Sequence, residues 1–243
     1  MYRGFNIEDI SFDNTDCLAE EFDAQFSKPS IHKNLKKYCR MNGVFDASAI
    51  QEDWFPQWDF DVFISHSHDD EILAKAFAWW LQENLDLKVF VDSAVWGYFD
   101  TLSKGIDRST GLSNDVSHAH MMLNMALMTM IDRTECLFFL NTPKSINLDE
   151  AFNTGTYSPW LYTEIGISRM IEKKEPERYK SFSRENLREK KLLKSSMRYK
   201  TDISHLTTLD ADDLKSWASH CQKTFDHPLD VLYDLYPPEK SIR

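Results

Sequence analysis

Glycine and proline are scarce in this 243-residue chain, at 7 and 8 residues. That excludes collagen-like repeats, low-complexity tracts and long flexible linkers. Cysteine is limited to Cys17, Cys39, Cys136 and Cys221, with no C-x-x-C pair. Free thiols in a reducing compartment are the expectation. Basic residues are in deficit, with Lys+Arg 28 against Asp+Glu 39 and a formal net charge of −11. A dedicated nucleic-acid binder needs a clustered Lys/Arg surplus, so that class is excluded, while a small basic pocket for a phosphorylated small molecule is not. No run approaches the roughly 18–20 apolar residues of a membrane span, so no membrane partner is expected. The opening M-Y-R-G-F-N-I-E-D-I lacks the apolar centre of a signal peptide, and the expected location is the cytoplasm. G-x-G-x-x-G, P-loop and G-x-S-x-G motifs are missing, which leaves a redox dehydrogenase, a P-loop NTPase and an α/β-hydrolase unsupported.

What is present divides into three zones. Residues 1–58 read as a helical N-terminal extension: Leu18, Phe22 and Phe26 recur every four residues, and Ile31, Leu35, Tyr38 and Cys39 form a second stripe after Ser30. Residues 59–174 alternate strand and helix signals. Phe60-Asp61-Val62-Phe63-Ile64-Ser65, Lys88-Val89-Phe90-Val91-Asp92 and Glu135-Cys136-Leu137-Phe138-Phe139-Leu140-Asn141 are short β-rich apolar runs. Between them lie helical stripes. Ile72, Leu73, Ala76, Phe77, Trp80 and Leu81 form one, introduced by a capping-box-like Ser67-x-x-Asp70. Val116, Ala119, Met122, Leu123, Ala126, Leu127 and Met130 form the other, its methionines read as core filling. A further helix starts at Pro159, a favourable first-turn residue.

In residues 175–243, a mixed charge run reads as a solvated helix or surface loop. Residues 202–209 offer another strand. Leu214, Trp217, Ala218 and Cys221, then residues 231–236, offer two helices. This zone is expected to pack on the middle one. The whole predicts an α/β fold, a parallel sheet with helices on both faces plus helical additions at both ends. Ligands of such sheets bind beyond the carboxyl ends of the strands, here at Ser65-His66-Ser67, at Asp92 and at residues 141–145.

Glu164 stands out. On the helix from Pro159 it shares a side with Trp160, Ile167 and Ile171 and is flanked by Leu161 and Ile165, so a carboxylate falls inside an apolar stripe. Burying it ionised is costly unless it is paired, and burial raises its pKa. It is either a structural residue paired with a buried Arg or with backbone, or it lines the ligand edge. Metal binding is not expected: His66, His68, His118 and His120 give only weak H-x-H signals, and His118 and His120 lie about 200° apart on a helix.

These residues resemble a known family. D-F-D-V-F-I-S-H-S-H-D-D, Asp59 to Asp70, resembles the first box of bacterial Toll/interleukin-1 receptor (TIR) domains. Ser158-Pro159-Trp160-Leu161-Tyr162-Thr163-Glu164 resembles the S-x-W-x-x-x-E signature of the TIR catalytic glutamate. The run from Leu87 to Ile106, with Asp100, Leu102 and Ile106, resembles the second strand and its loop. The resemblance covers about half the chain. It lacks the proline- and glycine-bearing loop of animal members after the second strand, and it lacks the C-terminal F-W box.

The resemblance implies a flavodoxin-like fold and cleavage of NAD+ at the nicotinamide–ribose bond. NAD+ would be substrate, with no resident cofactor, and Glu164 would lie against the ribose. Ser65, His66 and Ser67 would form the first loop of the pocket, Asp92, Trp96, Tyr98 and Phe99 a second wall, and Trp160 would position the glutamate helix. Phe90 is a further candidate for ring stacking, and backbone amides near Ser65 to Ser67 for a phosphate. The products would be ADP-ribose or cyclic ADP-ribose variants. Bacterial relatives point to Thoeris-type antiphage defence, self-assembly or a homo-oligomer, and a separate effector sensing the product. The alternatives are a non-enzymatic interaction module, or a nucleoside N-glycosidase with Glu164 as nucleophile.

Overall fold

The computed structural model describes residues 1–25, 49, 59–93, 116–145, 147–149, 153–156, 159–179, 199–200 and 203–238. Its centre is a five-stranded, all-parallel sheet. The strands are β1 (Arg3–Ile7), β2 (Val62–Ser65), β3 (Val89–Val91), β4 (Cys136–Leu140) and, late in the chain, β8 (Thr207–Leu209), in the order β3-β2-β4-β1-β8. Every residue of β2, β3 and β4 is buried, as expected of strands covered on both faces. The α/β, flavodoxin-like architecture is therefore present.

Side chains alternate between two cores. Phe63, Phe90, Leu137 and Phe139 point to one face, covered by α3 (Val116–Arg133) and α4 (Pro159–Met170) through Leu123, Leu127, Ile131, Leu161 and Ile165. Val62, Ile64, Val91, Phe138 and Leu140 point to the other. That face is covered by α1 (Thr15–Gln25), α2 (Glu71–Leu85), α5 (Ala211–Cys221) and α6 (Pro228–Leu235), with Phe22, Phe77, Leu81, Trp217 and Leu232 buried there. Trp217 is fully buried and donates its indole N–H to the Pro228 carbonyl at 2.8 Å. A polar antiparallel sheet, β5 (Asn147–Asp149), β6 (Asn153–Thr156) and β7 (Tyr199–Lys200), precedes and flanks α4.

Four expectations change. Residues 1–58 are not only helical: α1 is there, but Arg3–Ile7 is an interior strand in the fourth position of the sheet, between β4 and β8. Its strand signal is masked by Arg3, Gly4 and Asn6. Arg3 is buried because its guanidinium donates to the Tyr233 and Tyr236 carbonyls and to Thr207 Oγ1 and stacks over Phe5 and Tyr233. Gly4 is there because a Cβ would come within 2.6 Å of Leu206 Cδ2.

The second change concerns residues 175–243, where Tyr199–Lys200 pairs with β6 rather than belonging to a uniform charged surface segment. Third, the capping box at Ser67 and Asp70 does not form, since neither side chain bonds the helix backbone. Thr142 Oγ1 donates to Asp70 instead at 2.5 Å, and a reciprocal box appears at Asp210 and Asp213. Fourth, only part of the methionine content of α3 is core. Met130 is buried, whereas Met121, Met125 and Met128 lie on the exposed face. Residues 202–209 and 211–236 supply the strand and the two helices expected of them; β8 pairs with β1, and Trp217 meets Phe138 of β4 edge-on with 6.1 Å between ring centres.

Candidate active site

Three adjacent secondary-structure ends converge where the sequence places the ligand edge. Strand β2 ends at Ser65 and runs into His66 and Ser67. Strand β3 runs into Asp92 and Ser93. Helix α4 crosses their face and brings Glu164 down from its second turn. Ser65, His66, Asp92 and Glu164 are each 0% exposed.

Ser65 Oγ donates to Glu164 Oε2 at 2.5 Å. His66 Nδ1 lies 2.7 Å from the Ser67 carbonyl, which only accepts, so Nδ1 carries a proton. His66 Nε2 lies 2.7 Å from Asp92 Oδ1, an ion-pair contact that the ring N–H does not meet squarely. Asp92 reaches Glu164 closely enough for a hydrogen bond if one of the two carboxyls keeps its proton. Both Asp92 oxygens and Glu164 Oε1 otherwise lack a hydrogen-bond partner, as does Ser93 Oγ. These are buried polar atoms whose hydrogen-bonding capacity is left unused.

The electrostatics follow from this packing. Burial raises the Glu164 carboxyl well above the ordinary carboxylate range, and the neighbouring Asp92 raises it further. The Ser65 hydrogen bond works the other way and is outweighed. For His66, burial would lower the pKa, but the charge and contact of Asp92 outweigh it, so the imidazole is held above its usual value. No Lys or Arg among the described residues acts on Glu164, so the reading of Glu164 as an Arg-paired structural residue finds no support there.

The other sequence-predicted residues divide. Ser67 is buried and serves through its carbonyl, which also accepts from Asp70 N–H at 2.9 Å. Trp160 is half-buried against the same core as Leu161 and Ile165, in keeping with a residue that seats α4. Phe90 is core, 5.4 Å from Phe63 and 5.2 Å from Phe60 between ring centres, and is not available to stack on a ligand. Trp96, Tyr98 and Phe99 lie outside the described residues.

The backbone amides near Ser65 to Ser67, named as candidates for a phosphate, lead into an acidic turn at the start of α2. Asp69, Asp70 and Glu71 occupy that turn, and they oppose an anion despite the helix dipole. Lys144, after β4, lies 3.6 Å from Asp70 and donates to the Asp69 carbonyl at 3.0 Å, tying two rim loops together. Ser93 went unnoticed in the sequence, where only its position next to a strand-end aspartate could have marked it.

A second cluster lies at the opposite, amino end of β4. Glu135, His227 and Asp230 come within metal-ligand distance of one another. Arg178 already serves that cluster, donating to Glu135 at 2.6 and 2.7 Å and to Asp230 at 2.5 to 2.8 Å. The guanidinium supplies the positive charge a cation would bring, so the donor set fits a structural clasp. No helix among the described residues is long and apolar enough to cross a membrane. Comparison with family models, with curated proteins and with solved structures finds no match to this chain.

Proposed function

We propose that the protein is a TIR-type NAD+ glycohydrolase or cyclase and that Glu164 is its key carboxyl group. The observation that carries the reading is a fully buried glutamate at the carboxyl edge of a parallel sheet, bonded to a strand-end serine, with no Lys or Arg among the described residues acting on it. A carboxyl group kept there against its desolvation cost is better explained by a reaction than by stability. The resemblance of residues 59–70 and 158–164 to TIR boxes supplies the reaction class.

The chemistry suits the site. The bond between ribose C1′ and the nicotinamide nitrogen breaks with its electron pair leaving on nitrogen, so a cationic ring departs as neutral nicotinamide and needs no acid. Positive charge develops on the ribosyl group. Glu164, once ionised, stabilises that charge electrostatically in a water-poor setting. Water captures the ribosyl cation and loses a proton to solvent to give ADP-ribose, and capture by the substrate's own adenine gives a cyclic product. Such products suit a signal read by a separate effector in bacterial antiphage defence, with self-assembly completing the pocket.

The nucleoside N-glycosidase reading is less well served. A nucleophile and an acid that flank a glycosidic bond stand about 5–5.5 Å apart or more. Asp92 is instead an immediate neighbour of Glu164, within hydrogen-bonding reach, and raises its pKa. A non-enzymatic interaction module leaves the buried carboxyls without a purpose.

The test is nicotinamide release from NAD+ by purified protein, alone and with phage components as trigger, beside Glu164→Gln. Release that disappears in the folded variant supports the enzyme. No turnover under any trigger, with partner binding intact in the variant, refutes it. Nucleosides in place of NAD+ test the N-glycosidase.

A further inference from the structure

Resting on that reading of Glu164, we infer that Asp92 is a positioning residue that sets the charge of Glu164: the two carboxyls share one proton, and His66 stands behind Asp92 as a fixed imidazolium. The argument begins with proton inventory. His66 Nδ1 faces a carbonyl at 2.7 Å and Nε2 faces a carboxylate oxygen at 2.7 Å. The carbonyl fixes a proton on Nδ1, and the carboxylate oxygen in ion-pair contact with Nε2 draws a second one there, which makes the ring an imidazolium. Its charge is compensated by Asp92, within a region that is 0% exposed.

A second anion in the same dry space is then strongly disfavoured. The ordinary outcome for neighbouring carboxyls is one proton between them. Glu164 Oε2 is already an acceptor, from Ser65 at 2.5 Å, so the proton belongs on Oε1, which has no other partner, with Asp92 as the neighbouring carboxyl. That single proton satisfies Oε1 and one Asp92 oxygen together. The groups that bear on the cluster are Ser65 and His66 from β2 and the residue after it, Asp92 from the end of β3, and Glu71 from α2, which attracts the imidazolium more weakly.

The arrangement has a use in the proposed reaction. A glutamic acid cannot stabilise a ribosyl cation, and a dry core offers no water to take its proton. Asp92 offers an acceptor in contact. When a cationic ribosyl group lies against Glu164, the O–H bond on Glu164 breaks and one forms on Asp92. Glu164 becomes the carboxylate that faces the cation, the imidazolium is unchanged, and the net charge of the three side chains is constant. Asp92 and His66 thereby move from the ligand-contacting role expected of them to a role behind the glutamate.

The experiment uses the full chain without substrate. Isotope-edited infrared spectroscopy follows the carboxyl protonation of Glu164, assigned by its loss in Glu164→Gln, and nitrogen-15 NMR follows the His66 ring. At neutral pH, wild type should show Glu164 as the acid and both His66 nitrogens protonated. Asp92→Asn should move the Glu164 midpoint down by about one pH unit or more and neutralise His66, while His66→Gln should move the midpoint up. Opposite shifts from two neighbours are not produced by a loss of structure, and near-UV circular dichroism checks folding.

An ionised Glu164 in the resting wild type overturns the inference on its own, whatever the variants do. So do two shifts of the same sign, or a midpoint unmoved in folded Asp92→Asn. Nicotinamide release is scored separately. Opposite shifts without turnover refute the NADase reading and keep the inference. Turnover lost in Glu164→Gln, without the shifts, does the reverse.

Discussion

Ser65 Oγ and Glu164 Oε2 are 2.5 Å apart, with the serine donating, although 99 positions separate them in the chain. Among the described residues this bond is the contact that favours the ionised glutamate, against burial and against Asp92. Ser65→Ala removes it. Glu164 then holds its proton to higher pH, less carboxylate is present at neutral pH, and the acid limb of the nicotinamide-release profile moves to higher pH. Hydrogen bonds to charged groups are worth about 1.5–3 kcal/mol, so the loss at neutral pH should be about tenfold or more. Ser65→Thr, which keeps the hydroxyl, should restore most of it. A pH–rate profile for the three proteins checks the sign.

Glu164 should also leave a signature in stability. Its folded pKa is raised above the unfolded value. Its neutral form is compatible with folding below the unfolded pKa, and stability falls as pH rises from there through the folded pKa. In that window the penalty grows by about 1.4 kcal/mol per pH unit. Glu164→Gln keeps the shape and an acceptor for Ser65 but cannot ionise. The variant should gain on wild type as pH rises above the ordinary carboxylate range toward the raised folded pKa. Urea unfolding at several pH values measures this, and an advantage that does not grow with pH contradicts the buried-acid assignment.

Much of this site was legible before any coordinates, because it depends on strand ends and on one misplaced charge. Runs such as Cys136–Leu140 can only be strands buried on both faces, and their ends must carry the polar residues of the ligand edge. Glu164 betrays itself by helical spacing alone. What sequence could not show is pairing at a distance. Nothing in Arg3-Gly4-Phe5-Asn6-Ile7 announces an interior strand, because Arg3 is neutral to the core only once Tyr233, Tyr236 and Thr207 receive its donors. Asp92 was legible as a strand-end carboxylate and His66 as a loop residue, but their pairing was not, since it depends on the register of β2 against β3. Methionines at 121, 125 and 128 fit a core pattern by composition, and their exposure follows from which face of α3 meets α4.

The His66–Asp92 pair is wholly buried, so removing one partner strands the other. Breaking such a pair costs about 3–5 kcal/mol. Asp92→Asn and His66→Gln should each destabilise, and the double variant should cost less than the sum because no lone charge remains. The pH dependence has a definite sign. The folded pKa of His66 is raised, so its contribution is complete below the unfolded value and is lost as pH rises through the folded one. Wild type should therefore approach Asp92→Asn in stability at alkaline pH. A double-mutant cycle by denaturant unfolding at acid, neutral and alkaline pH reads both effects, and additive losses contradict the pairing.

Arg178 closes the far end of the fold. It joins Glu135, just before β4, to Asp230 on α6, and Tyr179 donates to the same aspartate. Burial alone would raise the Asp230 pKa, but Arg178 and Tyr179 outweigh it and hold the carboxyl below its usual value. A depressed carboxyl pKa gives stability that is present above the unfolded value and is lost as pH falls through the folded one. The cluster is partly exposed, so solvent screening limits its worth, although a two-sided guanidinium network exceeds an isolated surface pair. Arg178→Met should cost about 1–2 kcal/mol near neutral pH. The gap should narrow toward acid pH as Asp230 becomes protonated. Because the clasp lies at the amino end of β4, remote from Glu164, the pH midpoint of Glu164 should not move in this variant. Paired measurements of unfolding and of the Glu164 carboxyl band separate the two ends of the sheet, and a shifted Glu164 midpoint in Arg178→Met shows that they are coupled.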